Sequence, residues 1–154
     1  MNNECIPLRE AAYTQRLTVH CTAAVTGKRF VAPLGARQSG GLAGLAADPL
    51  AANDGSDYVV AGPPAAGGAV GGVAAWDAGI AAKCPIIRGA GTIVPVTSAA
   101  AISVGQTLKV DATGAVLPVT TGTSPVGVAH SAAGAGGVDV EVELLPTPYP
   151  AIAP

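Results

Sequence analysis

Aromatic and charged side chains are both scarce in this chain. Trp, Tyr and Phe together make up 3% of its 154 residues, and Asp, Glu, Lys and Arg 12%. The first scarcity argues against a surface that stacks bases or sugar rings, which needs aromatic platforms. The second, beside a hydrophobic fraction of 49%, argues against a solvated, disordered chain. Cysteine is rare as well: Cys5, Cys21 and Cys84 are odd in number and lack paired spacing. That argues against a disulfide framework and favours a reducing compartment. Long apolar runs are missing too. Residues 58–76 carry no charge, but Pro63-Pro64 and five glycines interrupt them, so no membrane span is expected there. Asn2, Asn3 and Glu4 have no apolar run behind them, so no secretory signal is expected.

What is abundant is small. Ala and Val dominate the apolar set, and Gly (21) and Pro (13) favour turns and edge strands over helices. A core of small side chains buries modest area per residue, so the monomer should gain from association. At this length one domain is expected, with arms. Residues 1–37 hold five of the eight basic groups and only two acids, Glu4 and Glu10. The front is therefore mildly basic and the body acidic, a distribution that suits a protein partner of opposite sign. The positive excess is too thin for direct nucleic-acid binding.

The clearest organisation lies in residues 92–145. Val138-Asp139-Val140-Glu141-Val142-Glu143-Leu144 alternates apolar and acidic without exception, the pattern of a half-buried strand. Runs at 92–97, 107–111, 115–119 and 126–130 are each cut off by Gly, Ser, Thr or Asp. Strands about ten residues apart predict an all-β fold, a small antiparallel β-barrel or sandwich. Asp111-Ala112-Thr113-Gly114 reads as a tight hairpin turn. Upstream, 16–22 and 29–32 read as a hairpin about Thr26-Gly27-Lys28, 58–61 and 69–76 as strands, and Ile86-Ile87-Arg88 as the start of another. Residues 98–102 are expected to form one helical turn, and Trp76 to be largely buried in the body or at a subunit contact. The upstream half as a whole reads as material added to the 92–145 body. The expected division is an N-terminal arm (1–15), a β-rich domain (16–145) with a long loop at 33–55, and a Pro-rich C-terminal tail (146–154). Prolines at 146, 148, 150 and 154 should keep it extended.

The spacing of the chain's polar residues supports no catalytic or metal constellation. Lys28 follows Gly27, but the position five before Gly27 is Thr22, so the phosphate loop is absent. His20 and Cys21 are strand neighbours that point to opposite faces and do not share an ion. His130 has no Cys or Ser at a triad-like spacing. Asp139, Glu141 and Glu143 line one face, where solvation and protection against edge pairing are the ordinary reading and a divalent cation the alternative. Ser39-Gly40-Gly41 lacks the pattern of a nucleophile elbow. No enzyme, cofactor or metal is expected. Val104-Gly105-Gln106-Thr107-Leu108 before a hairpin also resembles the entry to a biotinyl or lipoyl carrier domain, but Lys109 lies inside a strand and the turn carries no lysine.

Asn3-Glu4-Cys5-Ile6-Pro7-Leu8 and Thr22-Ala23-Ala24-Val25-Thr26-Gly27-Lys28-Arg29-Phe30-Val31 resemble the opening of small head proteins of tailed phages of actinobacteria. Gly72-Val73-Ala74-Ala75-Trp76-Asp77, Ile93-Val94-Pro95-Val96, Val110-Asp111-Ala112-Thr113-Gly114 and Pro125-Val126-Gly127-Val128-Ala129 continue the likeness, which runs from Asn3 to Leu145 with the N-terminal block its more specific part. The order is similar to that of the capsid decoration, or capsid cement, family. The resemblance implies a β-tulip-like structural protein, made in the host bacterial cytoplasm and seated on the outer surface of the expanded virion capsid. It implies a homotrimer that clamps the major capsid protein. On the basic excess of the arm, Ile6, Pro7, Leu8, Arg9, Tyr13 and Arg16 are the expected capsid contacts, and removal of residues 1–13 is expected to leave a folded protein. An exposed host- or carbohydrate-binding module on the virion is the alternative.

Overall fold

In the computed structural model, residues 4–12, 14–35, 58–60 and 62–146 are described. Among these residues, ten strands form two five-stranded sheets. In chain order they are β1 (Gln15–Cys21), β2 (Phe30–Val31), β3 (Tyr58–Val60), β4 (Gly72–Ala74), β5 (Lys83–Arg88), β6 (Ile93–Thr97), β7 (Thr107–Val110), β8 (Val116–Pro118), β9 (Gly127–Ala129) and β10 (Asp139–Leu144). The first sheet has the order β2-β4-β5-β1-β3 and the second β6-β10-β9-β7-β8. All pairings are antiparallel except the parallel one between β1 and β3. The sheets form a sandwich and do not close into a barrel.

The alternating run of β10 sets the layering. Val140, Val142 and Leu144 are buried, while Asp139 and Glu141 face water. The inward side chains of the second sheet meet Phe30, Val73 and Ile87 of the first in one core. Each such Val, Leu or Ile stabilises by about 1.5–3 kcal/mol when fully buried. The opposite face of the first sheet carries a second core of Val19, Cys21, Val31, Ala74, Cys84 and Ile86. Where the two cores sandwich it the first sheet is buried on both faces, so β2, β4 and the Ile86–Ile87 part of β5 lack a clean alternation, whereas β1 alternates and exposes Gln15, Arg16 and Thr18.

All five strands expected in 92–145 are present. The upstream half is no addition to them, because it supplies all five strands of the first sheet. The expected β1–β2 hairpin does not form. β5 and β4 lie between those strands, and β2 pairs with β4. The connection instead bridges Val25 to Ala78, so a local turn signal is overruled by pairing with distant strands. Only 72–74 of the 69–76 run pairs as a strand, and Ile86-Ile87-Arg88 ends β5 instead of starting it. Residues 98–102 form no helical turn. Ser98 and Ile102 make single bridges to Val116 and Ala133, and these pairings take the backbone groups a helix needs. Most of the 33–55 loop and the tail beyond Pro146 lie outside the described residues.

Backbone junctions tie the sheets together. Phe30 N–H donates to Gly114 O at 2.8 Å, joining β2 to the β7–β8 turn. Lys28 N–H donates to Ala74 O at 3.0 Å and its carbonyl accepts Thr97 N–H at 2.9 Å. Its Nζ reaches Asp139 at 2.7 Å. Lys28 holds this position at φ 58°, a region usually left to glycine.

Candidate functional site

An edge strand exposes unpaired backbone groups, and β6 lies at the edge of its sheet. The N-terminal arm closes that edge. Ile93 donates its N–H to Arg9 O at 2.9 Å, and its carbonyl accepts the N–H of Leu8 at 2.8 Å and of Arg9 at 3.3 Å. Pro95 has no N–H to satisfy, which is how a proline fits an edge, and its carbonyl accepts the Cys5 thiol at 3.5 Å. Cys5 N–H donates to Ala75 O at 2.7 Å, and its side chain is buried in the main core. Residues 5–9 are therefore an extra edge segment anchored by one buried side chain.

With its backbone and Cys5 facing inward, the arm turns other side chains out. Ile6 is 65% exposed and Leu8 57%. Arg9 is exposed, and Pro7 is half-buried. Between the arm and the first sheet lies a groove of about 410 Å³. Its walls are Ile6 and Pro7 on one side, Pro85 and Ile87 of β5 on the other, with Trp76 and Arg16 beside them. The register explains the floor, since Arg16 lies opposite Ile87 and Thr18 opposite Pro85 on one face of the β1–β5 pair. Trp76, expected in the body or at a subunit contact, is 45% exposed and so is not part of the body's core. It lies two residues past the end of β4, where pairing has ended, and its carbonyl accepts the Cys84 thiol at 3.5 Å. Arg16 forms an ion pair with Glu10 across the arm's return, between side chains more than half exposed.

Of the six arm residues singled out by sequence, Ile6, Pro7 and Arg16 thus meet at the groove. Leu8 and Arg9 lie along β6, and Tyr13 is outside the described residues. Sequence reasoning missed Pro85 and Ile87, and singled out Trp76 without placing it beside the arm. The signal available was the lone tryptophan in an otherwise aromatic-poor chain. The arm also supplies Cys5 to the core and covers β6, so removing residues 1–13 would disturb the body as well as the surface.

The acidic row is not an open carboxylate cluster. Asp139 pairs with Lys28 at 2.7 Å, and Glu143 with His130 Nε2 at 2.7 Å. It does not guard an edge either, because β10 lies between β6 and β9. Among the described residues, no three of His, Cys, Asp and Glu are grouped to hold a metal ion, and no helix is long and apolar enough to cross a membrane. Burial pushes the Cys5 thiol up to about 12 despite the Lys28 charge, and the Cys21 thiol to about 11 with a further rise from Cys84. Cys84 is raised by burial too. All three are free thiols held protonated, the opposite of a reactive nucleophile. Lys109 lies within β7, away from the Asp111–Gly114 turn.

The fold is similar to that of the N base of the head fiber gp8.5 of bacteriophage phi29. The TM-score is 0.62 and the identity 15%, over 85% of this chain and 93% of that one. At that identity the likeness concerns the fold. No curated protein matches the chain. Residues 54–144, more than half of the chain, match the family described as phage cement protein. That match covers β3 to β10 and leaves out the N-terminal block, the more specific part of the resemblance read from sequence. On this match, which spans all of the second sheet and three strands of the first, the chain belongs to the phage cement protein family.

Proposed function

We propose that this chain is a structural virion protein that binds the outer surface of the expanded icosahedral capsid as a homotrimer and stabilises contacts between major capsid subunits. In this reading the 16–145 body is the decoration domain and the 1–15 arm carries the contact, with Leu8 and Arg9 foremost and Ile6, Pro7, Tyr13 and Arg16 around them. The protein acts without catalysis or cofactor, and is made in the host cytoplasm before it joins the shell.

The observation that carries the reading is the arm itself. Two large apolar side chains, Ile6 and Leu8, stand more than half exposed on backbone pinned to β6 and Ala75. Presenting such groups on a fixed segment reduces the ordering cost when a partner covers them. The basic excess of residues 1–37 adds a charge that an acidic shell surface would attract.

Leu8→Asp and Arg9→Glu test it, because both side chains are exposed and neither enters a core. Each should leave the melting temperature unchanged and weaken binding to expanded shells by tenfold or more, since about 1.4 kcal/mol is a factor of ten. Unchanged binding in both variants would remove the arm from the interface. A second reading, a host- or carbohydrate-binding module, draws on the half-exposed Trp76 and on the fold shared with a head fiber base. Retention of the protein on a glycan array would favour it.

A further inference from the structure

We infer, resting on the capsid reading above, that the groove between the arm and the β1–β5 face is the anchor of the shell contact. It takes one apolar side chain from an extended, uncharged segment of a major capsid subunit, and Trp76 is the residue that holds that side chain. The groove has the make-up of an interface centre. Its middle is apolar, with Trp76 45% exposed and Ile6 65%, and Pro7, Pro85 and Ile87 around them. Its rim is polar, formed by Glu4, Arg16 and Thr18. Protein contacts concentrate their energy in such centres, where tryptophan is among the most enriched anchors and the surrounding contacts keep water out. The volume of about 410 Å³ lies within the range of pockets that enclose a ligand, roughly 300–1,000 Å³.

Continuity with the arm points to the occupant. Ile6 and Pro7 belong to the contact segment and at the same time form a wall of the groove. Leu8 stands two residues further along, about 7 Å of extended chain. A subunit that covers Leu8 and Ile6 therefore reaches the mouth of the groove, and leaving Trp76 wet there would forfeit the apolar area it exposes. Charge sets the chemistry of the inserted segment. The rim carries one acid, Glu4, and one base, Arg16, and the base is already paired with Glu10. A charged segment gains nothing there, while an uncharged one breaks no pairing. Backbone groups set its conformation. Ile6 N–H and the carbonyls of Ile6 and Pro7 make no backbone hydrogen bond among the described residues. They are open to an extended strand, the mode in which main-chain bonds give affinity and a pocket for a side chain gives specificity.

Trp76 is the chain's single tryptophan, so biosynthetic replacement by 5-hydroxytryptophan gives one label, excited at longer wavelength than any tryptophan of the shell. The experiment measures acrylamide quenching of that label in the free protein and on expanded, undecorated capsids. Beside it, Trp76→Ala, Thr18→Lys and the control Ile80→Asp are co-sedimented with the same capsids. Thr18 is exposed on the groove floor, and Ile80 is 64% exposed and lies outside the groove. None of the three residues belongs to either core. The label should be open to quencher in the free protein and shielded severalfold on the shell. Trp76→Ala and Thr18→Lys should keep the melting temperature and bind at least tenfold more weakly, while Ile80→Asp should bind as wild type does. Wild type bound to shells with its label still open, and both groove variants binding undiminished, would overturn the inference and leave the capsid reading standing. A label already shielded in the free protein would overturn it too, because another copy or the chain itself would then fill the groove. Wild type that binds no shell would overturn both.

Discussion

Replacing Gly114 by alanine should cost far more than replacing Gly105, although both glycines sit in turns at nearly the same φ, +80° and +81°. Holding an alanine in that left-handed region costs about 1–2 kcal/mol at either site. The surroundings then separate them. A Cβ on Gly105 meets nothing within 4 Å. A Cβ on Gly114 overlaps the Phe30 carbonyl oxygen and comes to 3.1 Å from the carbonyl carbon and amide nitrogen of that residue. Those atoms are backbone and cannot rotate away, and the Phe30–Gly114 hydrogen bond is one of the junctions between the sheets. Overpacking of this kind adds about 1–3 kcal/mol, so Gly114→Ala should lose about 2–5 kcal/mol against about 1–2 for Gly105→Ala. For a chain of this size each kcal/mol moves the melting temperature by about 2–4 °C. The difference between the two variants should then be about 2–12 °C by calorimetry, with a matching gap in the guanidinium midpoint. Equal melting temperatures would refute the close packing of β2 on the β7–β8 turn.

Three further outcomes follow from the same geometry. Lys28→Ala should be less stable than Lys28→Gly by about 1 kcal/mol in chemical denaturation: both lose the Asp139 pair, but only glycine relieves the positive φ. Cys5, Cys21 and Cys84 should react with Ellman's reagent at pH 8 only as fast as the protein opens, and all at once in denaturant; a fast native thiol would contradict their burial. Their raised values also set a pH dependence. The folded state keeps its thiol protons up to about 12 at Cys5 and about 11 at Cys21, while unfolded thiols release theirs near 9.0. Between those limits the unfolded chain binds fewer protons, so stability should fall as pH rises above 9.0.

The second sheet was legible in sequence because its strands follow one another closely. Val140, Val142 and Leu144 alternate with acids, and Asp111-Ala112-Thr113-Gly114 carries its own turn chemistry. Asp111 Oδ1 accepts the N–H of Thr113 at 2.8 Å and of Ala115 at 3.0 Å. The first sheet was less legible. The alternation of Arg16-Leu17-Thr18-Val19-His20-Cys21-Thr22 marks β1 as a strand, but it pairs with β5 across more than sixty residues and with β3 in parallel, so spacing names neither partner. Docking of the arm on Ile93 runs through backbone groups, which leave no side-chain pattern to read. Trp76 was read as buried in the body or at a subunit contact, and the end of β4 one residue before Ala75 takes it out of the body and leaves it at the groove. The surface that distinguishes this sandwich is therefore set by strand ends and backbone contacts, and the composition of Ile6-Pro7-Leu8-Arg9 hints at only one side of it.

The central claim is binding to the expanded shell. Co-sedimentation of the purified protein with undecorated, expanded capsids of the phage that encodes it, and in parallel with unexpanded precursors, tests it most directly. The account predicts saturable binding to expanded capsids and none to precursors, with the Leu8→Asp and Arg9→Glu variants remaining in the supernatant. Absence of wild-type protein from both pellets would contradict it.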